Sequence, residues 1–492
     1  MAPRLFTIPS EAPFLPTLAE AMLDGRPIPG FPGPGPLALA EATVYLPTQR
    51  AVVAFGQALA KASGGKSLAL PHIVPLGAFA AEEGEAAEFE DLTLDEPPTV
   101  GELQRRMTLA RLVAAWGKAL KGAIRHCGAD GRLVTDESEP ALVASNPAQA
   151  LTLAGDLAAV IDDFSIEGIS FERLRPLVAD AFDPYWRVTL DFLKIAFEAW
   201  PAWLAEKGLT DRAERAQRSA EREIAALAEG RRGPTLVAGS TGINAATAKL
   251  IGAVARARQG AVVLPGLDKT LDEAAWRLIT AKQEDGGDPT GAGHPQAALA
   301  RLLLRIGVER GEVEKLAEPG PRAKFLTEAM RPAESTHLWS QAKAEPSALD
   351  GVALIEARHE AEEALAIAAA LRETLETPGR TAALITPDPS IARRVAVELT
   401  RWGIDVENSA GATLGATEEG VFARLALAAA REFSAPRVAA LIASPRLRLG
   451  RSAEAYAAAA RALELGVLRA PLPFSGLQDP AAAFAAAREA AA

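Results

Sequence analysis

The sequence predicts an α/β protein built on parallel sheets, and three observations predict it. Short apolar runs recur at residues 5–8, 42–46, 235–238 and 261–264, the last two bounded by Gly and Pro, as buried parallel strands are. Residues 235–268, TLVAGSTGINAATAKLIGAVARARQGAVVLPGLD, read as strand, glycine loop, amphipathic helix and second strand. Leu250, Ile251 and Val254 share one face of that helix. A crossover of this length is right-handed, and such sheets bind ligands at the carboxyl ends of their strands. Further along, residues 352–355, 381–385 and 404–406 alternate with helical patterns at 360–375 and 390–402, a βαβαβ run.

A chain of 492 residues is too long for one core, so two or three domains are expected. No apolar run approaches 18 residues, and the N-terminus lacks the apolar core of a signal peptide, so a cytoplasmic location is expected. One cysteine, Cys127, excludes a disulfide framework, a four-thiolate zinc site or an iron–sulfur cluster within this chain. The net charge of −11 argues against coating nucleic acid through overall charge and leaves a local basic groove open.

In order, the 5–8 strand leads to a helix with Leu15, Leu18, Ala19 and Met22 on one face. The 42–46 strand runs into Pro47, Thr48, Gln49 and Arg50 and then a helix burying Val52, Phe55 and Leu59. Residues 70–76 form a further strand, and 82–96, with eight acids and no base, read as a solvated linker. Residues 81–211 are expected to be a helical insertion. Its stripes are Leu103, Met107, Ala110, Val113 and Trp116, then Leu153, Leu157, Val160, Ile161 and Phe164, then Trp186, Leu190, Leu193, Phe197, Trp200 and Leu204. His126 and Cys127 read as a turn between helices. A first α/β domain then comprises 1–80 and 212–345, a second begins over 346–420, and 421–492 is Ala-rich, helical and expected to be a truncated end. Thr270 to Glu273 reads as a capping box for the helix holding Trp276, Leu278 and Ile279.

No active centre of a nucleotide motor or nuclease is present in the pattern. A phosphate loop needs glycines whose amides wrap the phosphates and a Lys to reach them. Residues 47–50 offer neither, and Gly65-Lys66-Ser67 follows a helix rather than a strand and has Ala60 where the leading Gly belongs. Asp268 ends its strand without a second acid, so it cannot both hold magnesium and position water. None of the 12 lysines has Asp or Glu two positions earlier, the pair a PD-(D/E)xK nuclease uses on its metal. No cofactor is expected in this chain.

With a helical insertion between α/β segments, the chain resembles a superfamily 1 DNA helicase core of tandem RecA-like domains. Its phrases FTIPSEAPFL, VYLPTQRA, LPHIVPLG, LQRRMTLARLVAAW, VTLDFLKIAFEAWP, VAGSTGINAATAKL, GAVVLPGLD, His294-Pro295-Gln296 and ETPGRTAALITPDPSIARRVAVELTRWGIDVENSAG resemble the alphaproteobacterial AddB family, in family order from residue 5 to about 410. The resemblance implies a second subunit of a helicase–nuclease that resects double-strand breaks for recombination. It implies an AddA-type partner supplying ATP- and magnesium-driven motion, and DNA ends as substrate. It also implies a motor-dead helicase fold that holds DNA and reads a hotspot sequence. The family's nuclease domain, with its iron–sulfur cluster, lies C-terminal to the part matched here.

Helicase-like folds track single strands across the tops of their α/β units with hydroxyls, amides and guanidiniums. The candidates here are Thr48, Gln49 and Arg50, then Ser240, Thr241 and Asn244, and a basic cluster of Arg446, Arg448 and Arg451. Each is equally a helix cap or a solvated arginine. Two other readings compete: a protein scaffold without DNA contact, and an α/β hydrolase with Ser240 as nucleophile and His294, His337 or His359 as base. Against the hydrolase, Ala238 replaces the first Gly of the elbow, and the helix starts near Ala245 rather than directly behind the serine.

Overall fold

In a computed structural model, the described residues are 2–76, 97–123, 146–169, 192–281, 291–343, 345–409 and 413–469, with a few isolated residues between them. The acidic linker at 82–96, Trp186 and Leu190 lie outside them. The chain divides into two compact units after Val352.

The first unit is organised by a six-stranded, wholly parallel sheet. Its strands are β1 (Leu5–Ile8), β2 (Thr43–Leu46), β3 (His72–Pro75), β4 (Thr235–Ala238), β5 (Gly260–Pro265) and the short β6 (Glu314–Lys315). They lie in the order β3-β2-β4-β5-β1-β6. The apolar runs are continuous because both faces are covered. Leu5, Tyr45, Val237, Val262 and Leu264 point into one core, and Phe6, Ile8, Val44, Leu46, Leu236 and Val263 into the other.

Helices α1 (Phe14–Leu23) and α2 (Gln49–Ala62) bury Leu18, Met22, Phe55 and Leu59 against the second of these faces. On the first face, the helices α7 (Ala245–Arg256), α8 (Glu273–Thr280) and α9 (Ala297–Ile306) pack Leu250, Ile251, Val254, Ile279 and Leu303. Helix α8 is capped by Asp272, whose carboxylate accepts from the Ala275 amide at 2.8 Å, and not by the Thr270 box the sequence predicts. The Thr270 hydroxyl instead engages Asp268 and Thr327.

Between β3 and β4, residues 97–228 hold α3 (Glu102–Ala123), α4 (Pro147–Glu167), α5 (Trp200–Lys207) and α6 (Arg212–Ala228). The first three share a core of their own around Leu109, Val113, Leu157, Ile161 and Trp200. The buried stripe of α3 differs from the predicted one. Leu103 is 77% exposed and Met107 43%, while Arg105 is 4% exposed. A paired arginine has displaced apolar side chains: Arg105 grips Asp162 at 2.7 and 3.0 Å and lies 3.3 Å from Asp211, which also takes the Trp200 indole N–H at 2.7 Å. His126–Cys127 pairs antiparallel with Leu133–Val134, two residues each, where the sequence suggested only a turn.

The second unit departs from expectation more sharply. Among its described residues no strand ladder forms, although 352–355, 381–385 and 404–406 carry strand-like sequence. Helices α11 (Glu360–Leu375) and α12 (Pro389–Thr400) form as predicted and pack on one another through Ala364, Ala368, Ile391, Val395 and Leu399. Leu384 and Ile404 lean on that pair, whereas Leu354 is 85% and Ile385 94% exposed. A strand is defined by its neighbour as much as by its own pattern, and these segments have no neighbour to pair with. Helices α13 (Glu418–Arg431), α14 (Ala435–Ile442) and α15 (Ala453–Leu463) follow.

Candidate nucleic-acid interface

Connections from β1 and β2 pass onto one face of the sheet through α1 and α2, and those from β4 and β5 onto the other through α7 and α8. In the order β3-β2-β4-β5-β1-β6, neighbouring strands therefore diverge twice at the carboxyl edge, between β2 and β4 and between β5 and β1. Such switch points open crevices in parallel sheets. The predicted DNA-binding residues of the first unit belong to the β2–β4 crevice, and of the β5–β1 crevice the sequence singles out Asp268, as an acid without a second acid beside it.

At the first crevice, the parallel pairing of β2 with β4 brings residues 47–50 beside residues 239–244. Gly239, at φ +75°, is packed so closely that a Cβ there would meet the Phe14 ring at 3.3 Å and Pro47 at 3.4 Å. Thr48 is the N-cap of α2 and accepts from the Ala51 amide at 3.2 Å. Gln49 and Arg50 are exposed on the first turn of α2. The Ser240 hydroxyl accepts from the Gly242 amide at 3.2 Å, Thr241 is half-buried, and Asn244 caps α7 by accepting from the Thr247 amide at 2.7 Å. Gly242 sits at φ +59° with Leu302 Cδ1 only 2.6 Å from where a Cβ would be. The glycines of this loop are thus accounted for by close packing and left-handed backbone, with no phosphate needed to explain them. Ile243 at the loop tip is 75% exposed, and its carbonyl accepts from Arg305 at 3.1 Å; Arg305 also bridges to Glu167 of α4 at 3.0 Å.

At the second crevice, residues 9–13 follow β1 and residues 266–270 follow β5. Pro9 and Pro13 have no N–H, and the Ala12 amide donates back to the Pro9 carbonyl at 3.0 Å. The Glu11 carboxylate accepts from the Ala323 amide at 3.2 Å in the first turn of α10 (Pro321–Ala329). A fixed negative charge at that helix end opposes any incoming phosphate. Asp268, which the sequence left without a partner, is fully engaged. It accepts from the Thr270 amide and hydroxyl at 2.7 and 2.9 Å, the Leu271 amide at 2.9 Å and the Thr327 hydroxyl at 2.7 Å. Lys269 donates to the carbonyls of Arg310, Gly311 and Val313, and burial, with Arg310 and Lys315 close by, holds its pKa below the usual lysine value. The cavity between these loops, about 350 Å³, is lined mainly by apolar groups such as Pro9, Leu267, Pro295, Leu326 and Met330.

Among the described residues no group of three His, Cys, Asp or Glu side chains could hold a metal ion, and no helix is long and apolar enough to cross a membrane. The three candidate bases are engaged elsewhere than at Ser240. His294 reaches the Met330 carbonyl and accepts from the Gln296 amide, His337 contacts the Glu334 carbonyl, and His359 caps α11. Helix α7 begins five positions after Ser240, too late for a nucleophile elbow.

In the second unit, Arg446 lies 2.9 Å from Glu418 and 2.6 Å from Glu419, so its charge is already matched. Arg448 stacks over Tyr456 at 5.9 Å, and Arg451 is exposed. The cluster joins a wider basic cleft of about 600 Å³ through Arg448, to which Arg461 and Arg469 also contribute. No protein-family model matches this chain, and no curated protein matches it.

Proposed function

We propose that this chain is a helicase-like subunit without motor chemistry that holds single-stranded DNA across the carboxyl edge of its parallel sheet. It would do so in the cytoplasm, within an AddAB-type complex that processes double-strand breaks for recombination. One observation carries this reading. The crevice between β2 and β4 presents Thr48, Gln49, Arg50, Ser240 and Thr241 from adjacent loops, and neither of these loops, 47–50 and 239–244, carries the lysine that a nucleotide's phosphates would need. Hydroxyl, amide and guanidinium groups on the rim of a sheet suit a sugar–phosphate backbone. Asn244, Arg446, Arg448 and Arg451 take lesser parts, Asn244 as a cap and Arg448, alone of the three arginines, in the second unit's cleft. By the same reading ATP and magnesium act on an AddA-type partner, the iron–sulfur cluster belongs to the nuclease half of the family, and a hotspot sequence is read at this edge.

The test is single-strand binding by the purified chain, alone and with the motor subunit, followed across salt concentrations. Binding whose logarithm falls linearly with log salt supports the reading. Undetectable binding in both preparations leaves a protein scaffold, a second reading favoured by the net charge of −11 and by Thr48 and Asn244 already serving as caps. ATP hydrolysis by the chain alone would overturn the motor-less assignment.

A further inference from the structure

We propose that the cleft beside α10 seats one base of a single DNA strand against the indole of Trp339, an assignment that rests on the DNA-holding reading above. The cleft, about 860 Å³, is lined by Thr270, Lys324, Phe325, Trp339, Gln341 and Lys343 among others. Trp339 is 51% exposed, a large value for so apolar a side chain. Its indole N–H donates to the Glu328 carbonyl at 2.7 Å, which fixes the ring and satisfies its polar atom internally. What faces outward is therefore an oriented aromatic surface, the element that sequence-tolerant stacking of bases requires.

The cations of the cleft are placed to meet phosphate. Lys343 has no ion pair among the described residues, and Lys324 is only loosely paired, 3.7 Å from Glu345 with both side chains 57% exposed. Such a pair is weak and exchanges readily for another anion. Arg331 also lines the cleft but is locked between Asp272 and Glu328 and lends no free charge. Thr270, in the loop after β5, lines the cleft, and β5 lies two strand spacings or ~10 Å from β2 in the sheet. A strand passing over Thr48–Arg50 and Ser240 and on across the β5 loop would come to this cleft. A bound peptide strand would instead call for an open sheet edge with alternating side-chain pockets, which this cleft lacks.

The experiment is an anisotropy titration of the full chain with labelled oligothymidylate over a range of salt. Trp339→Ala and Trp339→Leu should each weaken binding about 5- to 100-fold with an unchanged salt slope, and Trp339→Phe should retain most of the affinity. The leucine variant keeps apolar bulk against α10 and guards against a loss caused by loosening of the fold. Lys324→Ala with Lys343→Ala should lower the slope by ~1.4, the share of two single-strand phosphate contacts. If the parent chain binds and both tryptophan variants bind equally well, the stacking site is wrong while the DNA-holding reading stands. If the parent chain binds neither alone nor with the motor subunit, both fall.

Discussion

Asp268 offers the sharpest test of how the sheet edge is used. In a motor, an acid at the end of a core strand holds magnesium; here its two oxygens accept four hydrogen bonds, three from within the β5 loop and one from Thr327 of α10. Asp268→Ala strips those donors of their acceptor. The Thr270 groups are exposed and recover water, and the Thr327 hydroxyl still has the Ala323 carbonyl at 3.2 Å, whereas the Leu271 amide, on a residue 2% exposed, is poorly placed to find another acceptor. At about 1–3 kcal/mol for a buried donor left unmatched, the loss should be about 1–3 kcal/mol. Asp268→Asn keeps one carbonyl oxygen, and the Thr327 hydroxyl can accept from the new amide, so about 1 kcal/mol is expected. Urea unfolding followed by circular dichroism should show the alanine midpoint lower by about 1 M, with the asparagine variant between it and the parent. An unmoved midpoint in Asp268→Ala, together with loss of a magnesium-dependent nucleotide binding seen in the parent, would refute the structural role.

Arg105→Met should destabilise the helical insertion by about 3–5 kcal/mol, because it leaves Asp211 charged and 4% exposed without its cation. Adding Asp211→Asn should recover part of that loss, measurable as coupling in a double-mutant thermal cycle. Gly242→Ala should cost about 2–4 kcal/mol, from a left-handed backbone and a Cβ placed 2.6 Å from Leu302, and a denaturant midpoint at the parent value would refute the packing account of the glycine loop. For pH, the Ala275 amide and then Arg331 hold the Asp272 carboxyl below its usual value of 3.8. The folded-state pKa is depressed, so the contribution is complete above the ordinary aspartate range and is lost as pH falls through the lower folded value. Acid unfolding of the parent should show this loss and Asp272→Asn should lack it.

The sheet of the first unit was legible because its strands are buried on both faces, which leaves unbroken apolar runs such as LFTI and GAVVLP. The same signal misled in the second unit. Leu354 and Ile385 have the composition of core strand residues, yet composition encodes which faces a segment can bury and says nothing of whether a neighbouring strand is there to take its N–H and C=O groups. In the insertion, Arg105 was invisible as a core residue because its burial depends on acids 57 and 106 positions away. Caps fared better, since Asn244 and Thr48 act within three residues of themselves. Trp339 carried no motif at all; its standing comes from a carbonyl 11 residues back and from the shape of a cleft.

The two crevices show why the candidate site was only half legible. A nucleotide-binding edge and a merely structural one share strands, loops and even an acid at the same place; they differ in where donors and charges are directed. At the β5–β1 crevice, Lys269 turns its ammonium onto three backbone carbonyls, Glu11 caps α10, and Asp268 closes on Thr327, so the groups that would serve phosphate and metal are consumed within the fold. At the β2–β4 crevice, Thr48, Gln49 and Arg50 are exposed at the start of α2, and across the crevice Ile243 at the tip of the 239–244 loop is 75% exposed. An edge with its phosphate chemistry turned inward and its polar rim turned outward can bind a strand passing over it without hydrolysing a nucleotide within it. That asymmetry predicts that substitutions at Gln49 and Arg50 change strand binding while leaving stability within about 0.5 kcal/mol, as for other exposed positions, and that substitutions at Asp268 do the reverse.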